Sequence, residues 1–197
     1  NTTIVGNHPW ADGYMGVLAF RSRAVVQSST FDGGRDGVYM HAADGSVVRN
    51  STMHDLRYGV HEMFTGHTLL AHNRVTHARI GLVVMTRPSG SALVGNTVRA
   101  SGSGEVVRGR RAYVANNTLA TDATGLVVAG TQSVYAGNVL VRDGVGARIL
   151  TSLPDSRVTR NDFVANGRDV KLGQFGPLYV WRGNYWANAP GYDANTN

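Results

Sequence analysis

The chain has 197 residues, of which 42% are hydrophobic and 16% charged, so it can bury a core and is not expected to be disordered. It contains no cysteine, which excludes disulfides, thiolate metal sites and cysteine nucleophiles. The formal charge of +6 comes almost wholly from arginine, because Lys171 is the only lysine, and no apolar stretch reaches the length of a membrane-spanning helix.

A glycine followed by a short alternating segment recurs along the chain at a nearly constant spacing. Steps of 21 to 23 residues separate Gly16, Gly37, Gly59, Gly81, Gly104, Gly125, Gly146 and Gly167. Each repeat also has a second short apolar segment that ends at or near an asparagine, as at Asn50, Asn73, Asn96 and Asn138. Short strands without helical periodicity between them predict an all-β solenoid.

We predict a single right-handed parallel β-helix over residues 1–197, with about eight coils of about 22 residues each. Leucine-rich repeats share this period, but they require a regular leucine framework, and here Val, Leu, Tyr and Phe share the inward positions. Successive coils of a β-helix stack about 4.8 Å apart. Asparagines at the turns tolerate left-handed backbone and can bond to their copies in the next coil.

The strand after each glycine shows which side chains face the interior. The first and third positions are mostly apolar and are predicted to point inward. In chain order these pairs are Val17/Ala19, Val38/Met40, Leu82/Val84, Leu126/Val128 and Ala147/Ile149. The third coil departs from the pattern because Glu62 takes the third position, so either Glu62 is paired inside or the strand is distorted.

The second and fourth positions of the same strands are predicted to point to solvent. The fourth position forms a column of Phe20, His41, Met63 and Met85, and His61 lies beside Met63. Imidazole nitrogen and thioether sulfur suit Cu(I), whereas hard cations require carboxylates. With coils about 4.8 Å apart and metal bonds of about 2.0–2.3 Å, one ion can bridge two coils. The pattern predicts a Cu(I) site made by His41, His61, Met63 and Met85; the alternative is an apolar column covered by a partner.

The other histidines, His8, His54, His67, His72 and His77, are expected at the surface or in turns, with His54 and His77 as a weaker second metal candidate. The chain ends with an aromatic segment, Trp181-Arg-Gly-Asn-Tyr-Trp186. Its rings are predicted to cover the last coil, where open strand edges would otherwise invite aggregation.

A carbohydrate-active β-helix is the competing interpretation. Such enzymes need paired carboxylates, or a bound calcium together with a base. Most acidic residues here lie beside Gly or Asn, where turn formation explains them, and Asp32 and Asp55 are the candidate pair. A polysaccharide-binding module would use Arg108, Arg110, Arg111 and Trp10. We expect that the chain is not an enzyme.

Four segments carry a resemblance to a known family: Asp36 to His41 (DGVYMH), Leu56 to Met63 (LRYGVHEM), Gly81 to Met85 (GLVVM), and Arg182 to Trp186 (RGNYW) followed by Gly191-Tyr-Asp193. Together they resemble NosD, a family of periplasmic β-helix proteins associated with copper supply to nitrous oxide reductase. The resemblance covers nearly the whole chain and corresponds to the central and C-terminal part of a longer family member.

The resemblance implies a copper-handling accessory protein, exported to the periplasm or cell envelope, that binds Cu(I) transiently. It implies ABC transporter subunits and a copper enzyme such as nitrous oxide reductase as partners, and no nucleic acid. Two departures leave open a relative that serves another partner. The chain ends in Ala194-Asn-Thr-Asn197 instead of an Asp/Gly-rich run, and Arg108 to Arg111 replace plain turn residues.

Overall fold

The computed structural model describes residues 3–9, 15–85, 90–150, 155–173 and 179–187; Trp10 and Gly191-Tyr-Asp193 lie outside them. The described strands form two sheets, one 15-stranded and one 8-stranded, and every pairing between them is parallel. The predicted parallel β-helix is therefore confirmed. None of the described residues forms a helix long and apolar enough to span a membrane.

The first strands in chain order are β1 (Thr3–Pro9), β2 (Met15–Phe20), β3 (Val25–Gln27), β4 (Thr30–His41), β5 (Val47–Arg49), β6 (Thr52–Met63), β7 (Leu69–Ala71), β8 (Arg74–Thr76), β9 (Ile80–Met85), β10 (Ala92–Val94), β11 (Thr97–Arg99) and β12 (Ser103–Val107). The remaining ones are β13 (Tyr113–Ala115), β14 (Thr118–Ala120), β15 (Thr124–Val128), β16 (Val134–Ala136), β17 (Val139–Val141), β18 (Val145–Ile149), β19 (Ser156–Thr159), β20 (Asp162–Val164), β21 (Arg168–Leu172), β22 (Tyr179–Arg182) and β23 (Tyr185–Trp186).

These strands form three walls. The glycine wall contains β2, the second halves of β4 and β6, and then β9, β12, β15, β18 and β21. The second wall is the 8-stranded sheet, β3, β5, β7, β10, β13, β16, β19 and β22, so about seven turns separate its first and last strands. The third wall contains β1, the first halves of β4 and β6, and β8, β11, β14, β17, β20 and β23.

Seven of the eight repeat glycines lie in register along the glycine wall. A Cβ at Gly37 would lie 2.7 Å from the carbonyl oxygen of Gly59 in the next coil, so only glycine permits this approach. The prediction for Gly167 is wrong, because the register of β18 and β21 places Asp169 opposite Gly146. A side chain is accommodated at Asp169 because β21 is the last described strand in the order of its sheet, so no carbonyl of another described strand approaches this position.

The interior is a continuous apolar column, as the alternation predicts. Val38, Met40, Leu82 and Val84 are fully buried, and the inward residues of later coils pack against the same cluster. Each such side chain contributes roughly 1.5–3 kcal/mol by leaving water. Glu62 points into the solenoid and is hydrogen-bonded there by Thr68 and Ser91. Of the two alternatives for the third coil, internal pairing is therefore correct, and the strand keeps its register with β9.

An asparagine ladder stabilises the turn after the second wall. It consists of Asn73, Asn96, Asn117, Asn138, Asn161 and Asn184. From Asn96 onward, each Oδ1 accepts hydrogen bonds from the backbone N and the Nδ2 of the asparagine one coil earlier, as Asn96 does from Asn73; Asn73 Oδ1 accepts from the backbone N of Ser51. The predicted ladder is confirmed from Asn73 onward, and the left-handed residue is the one before each ladder asparagine, as at His72 and Asn116; Asn50 lies outside the ladder because it is itself such a left-handed residue, before Ser51. Buried amides are thereby satisfied without strain on the asparagines themselves.

The predicted aromatic cover of the last coil is confirmed. The rings of Phe163 and Trp186 stack with centroids 4.4 Å apart and planes 8° apart, and Trp181 packs beside both. Trp181 and Trp186 also pack against the main core cluster. These large rings close the apolar column at the end of the solenoid.

Candidate metal site

The structure brings the four predicted metal ligands together on the outer face of the glycine wall. His41 is paired with Met63 between β4 and β6, and Met63 with Met85 between β6 and β9. His61 lies in the neighbouring column, between Tyr39 and Val83. We call His41, His61, Met63 and Met85 the donor patch.

His61 points outward but is not exposed to solvent, so that part of the prediction is wrong. It is only 5% exposed, because the rings of Tyr39 and Tyr58 pack on it with centroids 4.8 and 4.6 Å away. Val83 and Val106 are likewise buried on this outer face, in a small apolar cluster that includes Tyr58 and borders Met85. His41, Met63 and Met85 are half-buried.

Asp36 holds the imidazole of His61 in a fixed orientation. Its Oδ2 lies 3.3 Å from His61 Nδ1, and Asp36 itself is buried. The other ring nitrogen, Nε2, is buried without a hydrogen-bond partner among the described residues. A carboxylate at Nδ1 favours the tautomer whose proton is on Nδ1, so Nε2 presents a lone pair. This is the arrangement of histidines that bind metals.

Tyr39 connects two further members of the donor patch. Its hydroxyl lies 3.3 Å from Met63 Sδ, to which it donates, and 3.2 Å from His41 Nδ1. When the hydroxyl donates to the sulfur, it accepts from Nδ1–H of His41, which leaves His41 Nε2 available as a ligand. The His41 imidazole and the Met63 thioether, which belong to neighbouring coils, therefore share one hydrogen-bond partner, the hydroxyl of Tyr39.

Aromatic rings flank the donor patch on its open side. Phe20 stacks on His41 with centroids 5.2 Å apart, and Phe64 meets the same imidazole edge-on at 5.3 Å. Both phenylalanines are more than half exposed. They restrict the orientation of His41. The column of potential ligands ends at Phe20, because its side chain has no atom that binds a metal.

A second group of ligand atoms lies at a corner of the third wall. His54 Nδ1 is 3.1 Å from Asp32 Oδ1 and 3.3 Å from Asp55 Oδ2, and the three residues are close enough to hold one ion. His77 Nδ1 is 3.9 Å from Asp55. His54 and His77, the weaker second metal candidate, therefore both lie next to the Asp55 carboxylate. Oxygen donors favour harder cations than Cu(I). These groups are partly exposed, and histidine–carboxylate pairing by itself accounts for the geometry.

The interior of the glycine wall contains two buried glutamates with different partners. Glu62 accepts hydrogen bonds from Thr68 Oγ1 at 2.6 Å and Ser91 Oγ at 3.0 Å, and its burial raises its pKa to about 7. Neither carboxylate oxygen of Glu105 has a partner among the described residues. Burial, together with the nearby Asp122, raises the pKa of Glu105 to about 8.

Asp122 and Asp143 extend this acidic group along the neighbouring turn. Each accepts a backbone N–H from the previous coil through Oδ1, from Ser101 and Asp122 respectively, whereas each Oδ2 is buried and unpaired within the part of the chain that the structure describes. Burial raises the pKa of both carboxyls. Glu105 is not among the predicted site residues, although alternation after Gly104 places its side chain inward.

Comparison with known proteins identifies both a family and a fold. The family model described as "Periplasmic copper-binding protein (NosD)" matches residues 1–191. No curated protein matches the chain. Two mutant structures of the periplasmic alginate epimerase AlgG each superpose with a TM-score of 0.68, at 20% and 19% identity, over 75% and 77% of this chain and 38% and 39% of theirs.

A mannuronan C-5 epimerase module from Azotobacter vinelandii, AlgE6, aligns with a TM-score of 0.46 and 14% identity over 90% of this chain and 65% of its own. At 20% and 19% identity the likeness to the AlgG structures concerns the β-helix fold alone. The chain spans 38% of the length of the AlgG structure.

Proposed function

Because the chain belongs to the NosD family of periplasmic copper-binding proteins, we propose that it is a copper carrier and not an enzyme. It binds Cu(I) at the donor patch, through some subset of His41, His61, Met63 and Met85, and passes the ion to a partner protein. The partners proposed for it are ABC transporter subunits and a copper enzyme such as nitrous oxide reductase.

The observation that carries the proposal is the state of His61. Its Nε2 is buried and has no hydrogen-bond partner in the ranges that the structure describes, while Nδ1 is held by Asp36. A buried imidazole nitrogen without a partner costs free energy unless a ligand satisfies it. Met63 lies two residues further on the same outward face of the same strand. Nitrogen and thioether donors of this kind select Cu(I) over harder cations.

The same geometry supports release of the ion to a partner. Cu(I) is stable with two or three ligands, so a site with four potential donors allows one donor to be exchanged for an incoming ligand. His41, Met63 and Met85 are half-buried and reachable from outside, whereas His61 is anchored. We therefore propose that His61 retains the ion while the outer donors exchange.

Anaerobic competition titration against a chromophoric Cu(I) chelator tests the site. We expect the double variant His61→Ala/Met63→Ala to bind Cu(I) at least about 100-fold more weakly than the wild type, because two soft ligands are lost. Equal affinity of the two proteins would contradict the assignment. Far-UV circular dichroism and thermal unfolding establish that the variant retains the β-helix.

The matched control removes two imidazoles from turns outside the donor patch. His67 and His72 are exposed and adopt left-handed backbone, with φ of 53° and 54°. Asparagine occupies the position that corresponds to His72 at Asn50 and Asn116, and it tolerates left-handed backbone in general, so His67→Asn/His72→Asn preserves the turns. We expect this variant to bind Cu(I) as the wild type does; a loss equal to that of His61→Ala/Met63→Ala would show that histidines bind copper nonspecifically.

A further inference from the structure

Three arginines meet in a groove on the outer face of the second wall, near its C-terminal end. The groove has a volume of about 630 Å³, and its lining includes Arg157, Arg160 and Arg182 together with Val134 and Val180. Arg157 lies on β19 and Arg182 on β22, the next strand of the wall. Arg160 is at the adjoining turn, where its backbone N donates to the carbonyl of Arg182. All three side chains are exposed.

The three guanidinium groups lack the side-chain partners that Arg49 and Arg110 have on the surface of the solenoid. Arg49 donates to Gln27 Oε1 at 3.2 and 2.8 Å through Nε and Nη2, and Arg110 donates to Gln132 at 3.3 Å. In the described part of the chain, no ion pair or side-chain hydrogen bond involves the guanidinium groups of the groove. Three like charges in one groove repel each other until an anion binds.

A guanidinium group is suited to a carboxylate, which it binds through two parallel hydrogen bonds. We propose that this groove binds an acidic segment of a partner protein, in an extended conformation, through its Asp or Glu carboxylates. Such a site is independent of the copper proposal, because it lies on the second wall, whereas the donor patch lies on the glycine wall between β4 and β9.

The surface next to the groove favours a protein over an acidic polysaccharide. Arg157 belongs to an outward column in which every other described side chain is apolar: Val25, Val47, Leu69, Ala92, Tyr113, Val134 and Val180. Val25 is 59% exposed, and Tyr113 and Val180 are each 48% exposed. Arginine and aromatic side chains beside exposed apolar surface are typical of protein interfaces, whereas a polysaccharide would require more hydrogen-bonding groups along the column.

Fluorescence anisotropy with a labelled peptide of five Glu–Val pairs tests the proposal on the full chain. We expect the peptide to bind, with an affinity that falls as salt rises. A peptide of five Gln–Val pairs should bind at least tenfold more weakly. The double variant Arg157→Glu/Arg182→Glu should lose at least tenfold in affinity for the Glu–Val peptide. The residues are exposed, so the variant is expected to fold, and unchanged thermal unfolding and Cu(I) affinity would establish that it has.

Arg49→Glu is the matched control, because Arg49 is exposed on the same wall but lies on β5, far from the groove. We expect it to change the peptide affinity less than twofold. Three outcomes would overturn the proposal: no binding of the Glu–Val peptide, an equal loss in the control and the double variant, or tighter binding of an oligogalacturonate of matched charge than of the peptide. The last outcome would assign the groove to an acidic glycan.

Discussion

The early and late coils of the glycine wall share one backbone arrangement, but they differ in the side chains on its outer and inner faces. In coils two to four the outward columns contain Tyr39, His61, His41, Met63 and Met85. In coils five to seven one of these columns contains Val106, Val127 and Arg148, and the other contains Arg108, Ala129 and Leu150. The register continues through both regions, so the metal-binding atoms can be changed without changing the fold.

The interior shows the opposite distribution. In the early coils the buried Glu62 has two hydrogen-bond donors, whereas in the late coils Glu105 has none among the described residues and lies near Asp122. Among the described residues, an unpaired polar atom of the early coils, His61 Nε2, lies on the outer face of the wall, although it is buried. The unpaired carboxylate oxygens of Glu105 in the late coils lie in the interior. An unsatisfied nitrogen on the same outward face as two thioethers is a candidate metal site, whereas unsatisfied carboxylates in a packed core are a cost in stability.

The largest effect expected from this difference is a dependence of stability on pH. Below pH 4.5 Glu105 is protonated in both the folded and the unfolded chain, so its contribution to stability is fully present. As the pH rises from 4.5 to about 8, the unfolded chain ionises while the folded one stays protonated, so stability is lost until the pH passes the folded pKa. Over this whole pH range, the free energy of unfolding is expected to fall by roughly 3–5 kcal/mol because of Glu105.

Chemical denaturation between pH 5 and 8 measures this dependence. In Glu105→Gln, the free energy of unfolding should fall less steeply with pH, by about 1.4 kcal/mol per pH unit, which is the effect of one proton. Glu62→Gln is the matched variant in the early coils and should flatten this decline less, because the pKa of Glu62 rises only to about 7. An unchanged slope in Glu105→Gln would mean that this carboxyl is not buried and protonated in the folded chain.

A smaller effect is expected at Asp36, which contacts His61 but is not itself a proposed ligand. Asp36→Asn keeps the shape of the side chain and removes the charge that holds the Nδ1 proton, so Cu(I) affinity should fall about 10- to 100-fold. Val127→Thr, on the same outer face in coil six, serves as the control and should leave the affinity unchanged. If Asp36→Asn binds Cu(I) as tightly as the wild type, Asp36 does not position His61.

Much of the fold followed from two sequence regularities, the glycine period and the alternation after it. They placed His41, Met63 and Met85 in one column, and the strand register confirms that placement. The glycine spacing failed at Gly167, because the last step is two residues longer and the pairing with β18 selects Asp169. Spacing alone cannot detect such an insertion, because another glycine stood at the expected distance.

Alternation predicts the direction of a side chain but not what covers it. His61 is buried because Tyr39 and Tyr58 pack on it from neighbouring positions of the same face, and that packing depends on side-chain size in two coils. Strict alternation does not predict Asp36 as a site residue, because it stands two residues before the inward Val38 and should also point inward. The alternation breaks at the repeat glycine, so Asp36 lies against the outward-facing His61 instead.

The central claim is that imidazole and thioether groups from neighbouring coils hold one Cu(I) together on the outer face of the glycine wall. Copper K-edge X-ray absorption of the Cu(I)-loaded protein tests it directly. The claim predicts both nitrogen and sulfur neighbours at about 2.0–2.3 Å, with a reduced sulfur contribution in Met63→Leu. A spectrum of the wild type with nitrogen and oxygen neighbours and no sulfur would contradict it.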